Sequence, residues 1–325
     1  MAGLLTGLSR VFCEWIKSIC LFCVPNAWRF KDITQEVVLI TGGGSGIGRL
    51  LAVKLASRAS RVVLLDVSKS GLKETAALVS EAKGSCAYYV CDISSRQEVY
   101  SIAERIKEEV GFVSMVINNA GITGGAKRLS DLDDERIVKT MEVNALAQFW
   151  VTKAFLADMM SHNHGHIVFV ASYAGLIGGC NLADYCASKF AVMGLAESLT
   201  VELRADGYDI NTTAVCPFLI NTGLFQGAAG NRYIPTLDAE ETAKRIVDAI
   251  LLNQSLLLMP RTLYFTIFLK TLLPVSAAYE LYKALDGLSF MQGFTGRRIE
   301  CVNNNDPPSL GDESRAQQDD SKKAA

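Results

Sequence analysis

The run Thr41-Gly-Gly-Gly-Ser-Gly-Ile-Gly48 lies between the apolar segment Val37–Thr41 and a helical stretch reaching about Ser57, and it constrains this chain more than any other feature. Glycine tolerates positive φ and, having no Cβ, lets two backbones approach closely. A helix that starts there presents free N–H groups and the positive end of its dipole, which is what a phosphate-binding turn requires. A second apolar run, Arg61–Asp66, follows at the distance expected of a βαβ unit. The spacing Gly42-xxx-Gly46-x-Gly48 departs from the GxGxxG fingerprint. Strand, turn, helix and strand occurring together nonetheless mark a phosphate-binding turn.

Further apolar runs at 86–91, 113–118, 166–171, 210–216 and Leu256–Met259 alternate with amphipathic stretches such as 69–83 and 239–253. This alternation predicts a parallel sheet covered on both faces. No linker interrupts it, so residues 36–260 are expected to form one α/β domain, a Rossmann-like doubly wound sheet. With half of 325 residues hydrophobic and a fifth charged, the chain can bury a sizeable core. A net charge of -2 and the lack of a long Lys/Arg block argue against a nucleic-acid partner. Nine cysteines follow no regular framework, which suits a reducing compartment, and Cys20-x-x-Cys23 has no second pair to complete a zinc site. His162, His164 and His166 alternate, but a turn rich in His, Asn and Gly before the next strand explains them more simply than a metal does. No metal site is expected.

The two ends of the chain differ from this core. Residues 1–24 are mostly apolar, with Arg10, Glu14 and Lys17 on one helical face and Leu4, Leu8, Phe12, Trp15, Ile19 and Phe22 opposite. A span needs about 20 predominantly apolar residues, and these charges interrupt the run. An interfacial helix fits the pattern better, with a true span and a cleaved signal as rivals, so residues 1–30 are expected to be a membrane anchor. After Pro217 comes a glycine-containing loop long enough to act as a lid. Residues 261–300 form an apolar extension in which Leu263–Leu269 is bracketed by Arg261, Lys270 and Pro274. It is too short to span a bilayer and reads either as a core or dimer helix or as a second membrane contact at the substrate entrance. Residues 301–325 are polar and expected to be disordered, ending with Lys322 and Lys323.

Three positions carry chemistry. Asp66 ends the second strand, where a carboxylate can accept hydrogen bonds from both ribose hydroxyls of NAD and repel a 2′-phosphate; capping of the next helix is the plainer alternative. Lys69 and Arg49 nearby leave NADP open. Tyr185 and Lys189 stand four apart, on one face of a helix. A nearby cation favours the phenolate and is expected to draw the tyrosine pKa down from about 10.

The ordered set TGGGSGIG (41–48), NNAG (118–121), Asn144, Ser172 and YCASK (185–189) resembles the short-chain dehydrogenase/reductase family over residues 36–260. Within it, LADYCASKFA (182–191), CPFLINTGLFQG (216–227) and MPRTLYFTIFLKTLLP (259–274) resemble the membrane- and lipid-droplet-associated branch. The resemblance implies that Tyr185 is the general acid/base, that Lys189 lowers its pKa and bonds the nicotinamide ribose, and that Ser172 holds the substrate oxygen. Asn144 then anchors a water and proton relay to the lysine. It implies cofactor contacts from Gly42, Ser45, Gly46, Ile47, Gly48, Asp66, Asp92 at the adenine, Asn118, Ala120, Gly121, Pro217 and Thr222, besides Tyr185 and Lys189. Phe218 stands where the family usually has a glycine after the proline.

The activity so implied is NAD-dependent interconversion of a lipophilic alcohol and its carbonyl. Retinol and retinal come first; a 17-beta-hydroxysteroid, a long-chain alcohol or a low-activity lipid-droplet scaffold are the alternatives. A homodimer through the helices carrying Asn144 and Tyr185 is also implied. So is a place on the cytosolic face of the endoplasmic reticulum membrane, or on lipid droplets, with the dilysine end resembling a retrieval signal.

Overall fold

Long apolar strands without polar interruption are stable where both faces are covered. The computed structural model of this chain, which describes residues 2–22, 24–228, 230–291, 293 and 294, places them so. The strands are β1 (Val37–Thr41), β2 (Arg61–Asp66), β3 (Cys86–Val90), β4 (Met115–Asn118), β5 (Gly165–Val170), β6 (Ile210–Pro217) and β7 (Leu256–Met259). All seven pair in parallel, in the order β3-β2-β1-β4-β5-β6-β7. Strand order reverses between β1 and β4, and ligand crevices in such sheets open at that point, beyond the carboxyl ends. The helices are α1 (Ala2–Phe22), α2 (Gly46–Ala56), α3 (Lys69–Glu81), α4 (Arg96–Glu109), α5 (Asp134–Met141), α6 (Ala147–His162), α7 (Ala183–Ala205), α8 (Ala239–Leu251), α9 (Thr262–Leu272) and α10 (Val275–Ala284).

Side chains on a strand point alternately to its two faces, so one apolar strand feeds two cores. On one face Leu39 and Val63 pack with residues of α4, α6 and α7, such as Ile106, Phe155 and Val192. On the other, Val38, Ile40 and Leu64 pack with α2, α3 and α8 through Leu51, Leu72 and Ile246. Boundaries shift slightly from the sequence reading: β4 starts at Met115 and not at 113, and β5 runs one residue ahead of 166–171.

The turn explanation covers only two of the three histidines, and the strand reading of 166–171 holds for the third. His162 ends α6 and His164 lies in the connection after it, but His166 belongs to β5 and is buried. Its Nδ1 lies 2.8 Å from Lys31 Nζ and its Nε2 2.9 Å from Thr213 Oγ1. Burial pushes the His166 pKa well below its ordinary value, and the Lys31 charge adds to this. Burial also lowers the Lys31 amine to about 8, against the opposing pull of Glu36 and Asp209. A histidine with a depressed folded pKa stabilises fully above its unfolded pKa of about 6.5 and progressively less as pH falls below it. Lys31 has the same sign, with stability rising as pH climbs from about 8 toward 10.5. The melting temperature should therefore drop between about pH 7 and about pH 5.5, before most carboxylates titrate. His166→Gln should flatten that drop, and an unchanged slope in the variant would refute the assignment.

At the amino end, α1 keeps Leu4, Leu8, Phe12, Trp15 and Ile19 exposed, and Lys17 pairs with Glu14 at 3.6 Å. No helix among the described residues is long and apolar enough to cross a membrane. At the other end, α9 buries Leu263 in the core while Phe265, Phe268 and Leu272 stay exposed. The polar segment 301–325, with its two terminal lysines, and Cys23 lie outside the described residues.

Candidate active site

The glycine turn joins β1 to α2 as its sequence requires. Gly42 and Gly46 adopt φ of +66° and +53°, where a side chain would be strained. A Cβ on Gly48 would overlap the carbonyl oxygen of Gly42, so only glycine lets helix and turn meet here, whereas the space around Gly46 is open. Ser45 is the N-cap residue of α2, and Ile47 is buried beneath it. Asp66 pins the turn to β2: its Oδ2 accepts from Gly44 N and its Oδ1 from Ser68 N, both at 2.9 Å. A fixed carboxylate beside a glycine turn and a helix start suits an adenosine ribose bearing free hydroxyls, and an added phosphate there would meet like charge. Arg49, a residue that kept NADP open, donates to Gly44 O at 2.6 Å and pairs with Glu74 at 2.8 Å.

The β4 end closes the cradle from the other side. Thr41 Oγ1 accepts from both Asn119 N and Ala120 N, at 3.0 and 3.1 Å, and Asn119 Nδ2 donates to Thr41 O at 2.9 Å. Neither Thr41 nor Asn119 stands out in the sequence reading, although each sits inside a motif it used. Asn118 Nδ2 reaches Thr152 Oγ1 on α6 at 3.1 Å. Asp92 lies after β3; burial opposes its charge, but bonds from Ser94 and the Lys139 ammonium hold its pKa below the usual carboxylate range.

Two further residues, Asn144 and Lys189, converge on Gly121. A Cβ on that glycine would lie 3.3 Å from Asn144 Oδ1 and 3.5 Å from Lys189 Nζ. Asn144 occupies a π-helical turn, Glu142–Leu146, between α5 and α6. Such turns often mark functional positions in helices. Its side chain clamps Ile122, accepting from the N–H and donating to the carbonyl at 2.8 Å each, and also donates to Ser188 Oγ at 3.0 Å. Ser188 in turn donates to the Tyr185 carbonyl at 2.7 Å, so the π-helical turn holds the helix that carries tyrosine and lysine. Gln148 and Asp184, both buried beside this network, were not singled out from sequence: Gln148 Nε2 donates to Asn144 O and Asp184 Oδ2 accepts from Thr140 Oγ1.

Tyr185 and Lys189 share one face of α7, with Lys189 Nζ 5.7 Å from the tyrosine ring centre. The ammonium donates to Val170 O at 3.0 Å. The expected acidic tyrosine is not what this structure holds. Burial pushes the Tyr185 phenol up, and the Ser172 hydrogen bond offsets only part of that. Burial also lowers Lys189 to about 8. The physical cause is cover from distant residues. Phe225 meets the Tyr185 ring edge-on at 5.5 Å, and Met291 packs in the same cluster.

Pro217 ends β6, and Thr222 precedes the short helix Gly223–Phe225 that delivers Phe225. Phe218 N donates to Met259 O at 2.8 Å, which fixes the start of this loop on β7. A largely apolar cavity opens beside Ser172 and Tyr185. Tyr173 and Phe218 form walls near the strand ends, while Thr266, Lys270, Tyr282 and Phe290 come from the segment after β7. Thus the apolar extension is part of the cavity wall, a role distinct from a simple core helix.

The sequence model described as short chain dehydrogenase matches residues 36–232. The chain is 46% identical over 272 residues to epidermal retinol dehydrogenase 2 of Mus musculus, covering 82% of this chain and 88% of the relative. It is 41% identical to retinol dehydrogenase 10-B of Danio rerio over 92% of this chain and 97% of that one. A solved short chain dehydrogenase/reductase from Burkholderia phymatum in complex with NAD superposes with a TM-score of 0.68 at 26% identity, covering 86% of this chain and all of the other.

Proposed function

The chain belongs to the short chain dehydrogenase family, and from that premise we propose that it interconverts a lipophilic alcohol and its carbonyl with NAD, retinol and retinal being the leading pair. The observation that carries the reading is the apolar cavity bounded by the hydroxyls of Ser172 and Tyr185. An apolar polyene alcohol gains from leaving water for such walls, and its hydroxyl meets polar partners at the end. The two relatives named above are both retinol dehydrogenases, which supports that choice.

The residues would divide the work as follows. The turn 42–48 and the start of α2 would hold a pyrophosphate, Asp66 the adenosine ribose, and Asp92, Asn118, Ala120, Gly121, Pro217 and Thr222 the remaining cofactor surface. When bound, NAD supplies the carbon that accepts the hydride. Ser172 Oγ holds the substrate oxygen in place, and Tyr185 Oη removes its proton. Tyr185 enters this step as the phenolate and leaves it as the phenol, and Lys189, cationic below about pH 8, opposes the cost of that buried phenolate. Asn144 keeps Gly121 and α7 in register for that proton transfer through its bonds to Ile122 and Ser188.

The same reading places the enzyme on a membrane surface, at the cytosolic face of the endoplasmic reticulum or on lipid droplets, as a homodimer through α6 and α7. The exposed apolar side of α1 and the exposed Phe265, Phe268 and Leu272 of α9 support lipid contact at two ends of the chain. Substrate would then pass to the cavity from lipid. The test is NADH formation from all-trans-retinol by the full chain in liposomes, with NAD and NADP compared. Turnover with NAD exceeding that with NADP is expected. No turnover of retinol, alongside oxidation of a 17-beta-hydroxysteroid, would overturn the substrate. Full retention on liposomes after removal of residues 1–24 would overturn the role of α1.

A further inference from the structure

We propose that Phe218 is a specificity-determining residue that makes the cavity prefer conjugated alcohols over saturated ones of the same length. The inference rests on the lipophilic-alcohol reading above and names the chemical character of the chain that the cavity takes. Phe218 follows Pro217, and its φ is not in the left-handed region, so the backbone there is free to carry a large side chain. Its N–H bond to Met259 O anchors the residue, and its partly buried ring forms a wall of the cavity.

That ring is one of a series. Tyr173 stands edge-on to it with centres 6.1 Å apart and planes at 65°. Phe290, from the segment after α10, lies 6.1 Å away on a ring tilted by 38°. These are separations at which π systems favour offset and edge contacts beyond what their buried area provides. A polyene threaded along three such rings makes those contacts, whereas a saturated chain gains burial alone. Because Tyr173, Phe218 and Phe290 come from the ends of β5 and β6 and from the carboxyl-terminal segment, the wall exists only when all three meet.

The experiment compares kcat/KM for all-trans-retinol and its fully hydrogenated analogue in wild type, Phe218→Leu and Phe290→Leu. Leucine keeps apolar bulk and removes the π face. Each variant should lower the conjugated-to-saturated ratio by about fivefold, with NADH affinity unchanged. A ratio that stays at the wild-type value in both variants would overturn the proposal, and two variants on separate elements guard against one failing to fold. If wild type ignores retinol but oxidises another long conjugated alcohol, only the retinol reading fails. The same ratio, measured on that alcohol and its hydrogenated form, then decides the role of Phe218.

Discussion

Tyr185→Phe should leave the protein folded and its NADH affinity unchanged while lowering kcat for alcohol oxidation by about a thousandfold, the middle of the range for losing a positioned general base. The ring of Tyr185 packs with Leu182, Cys186 and Met291 and against Phe225, and phenylalanine keeps all of that packing. What disappears is one oxygen, hydrogen-bonded to Ser172. A single hydroxyl hydrogen bond contributes about 1 kcal/mol to stability, so the melting temperature should change by no more than several degrees. Stopped-flow single turnovers and fluorescence titration with NADH separate the two effects. Equal rates in variant and wild type would remove Tyr185 from the chemistry altogether.

Gly48→Ala should be the most damaging single methyl in the cofactor cradle. The added carbon would overlap the Gly42 carbonyl oxygen and press on Asn119 Nδ2, and Asn119 is the residue whose amide ties β4 to Thr41. A backbone carbonyl cannot swing aside as the end of a side chain can, so α2 or the turn must move. Overpacking of this kind costs about 1–3 kcal/mol. A displacement of the order of 1 Å at a positioning element lowers kcat/KM by about a hundredfold. Gly46→Ala provides the contrast: its φ of +53° strains alanine, but nothing lies within 4 Å of the new carbon. It should lose about 1–2 kcal/mol of stability and keep most of its cofactor affinity. If the two variants bound NADH equally well, the close approach of Gly48 to Gly42 would not be what shapes the cradle.

The sheet was legible because buried parallel strands read as unbroken apolar runs, and β1, β2 and β7 coincide with theirs. The glycine turn was legible because φ above zero and backbone contact leave glycine little competition. His166 was not, since its partner Lys31 lies 135 residues away and a local reading sees only a polar cluster near a turn. The Tyr185 pKa failed for a related reason. A four-residue spacing reports the lysine, but the groups that strip water from the phenol, Phe225 and Met291, arrive far later in the chain. Asn144 illustrates a third limit: the family resemblance marks the residue, but only the backbone reveals the π-helical turn that holds it. The α9 segment was ambiguous from sequence because it serves two surroundings at once, with Leu263 in the core and Phe265 outside.

The order of parts along the chain has an evolutionary consequence. The glycine turn and the side chains proposed to react are complete by Lys189, apart from the Pro217 loop, whereas Phe218, Phe225, Thr266, Lys270, Tyr282 and Phe290 of the cavity all follow. Variation in the last third can thus retune what is accepted while inheritance of the reaction stays intact. Grafting residues 223–294 between homologous chains is the corresponding engineering move, a swap of appetite without a change of engine.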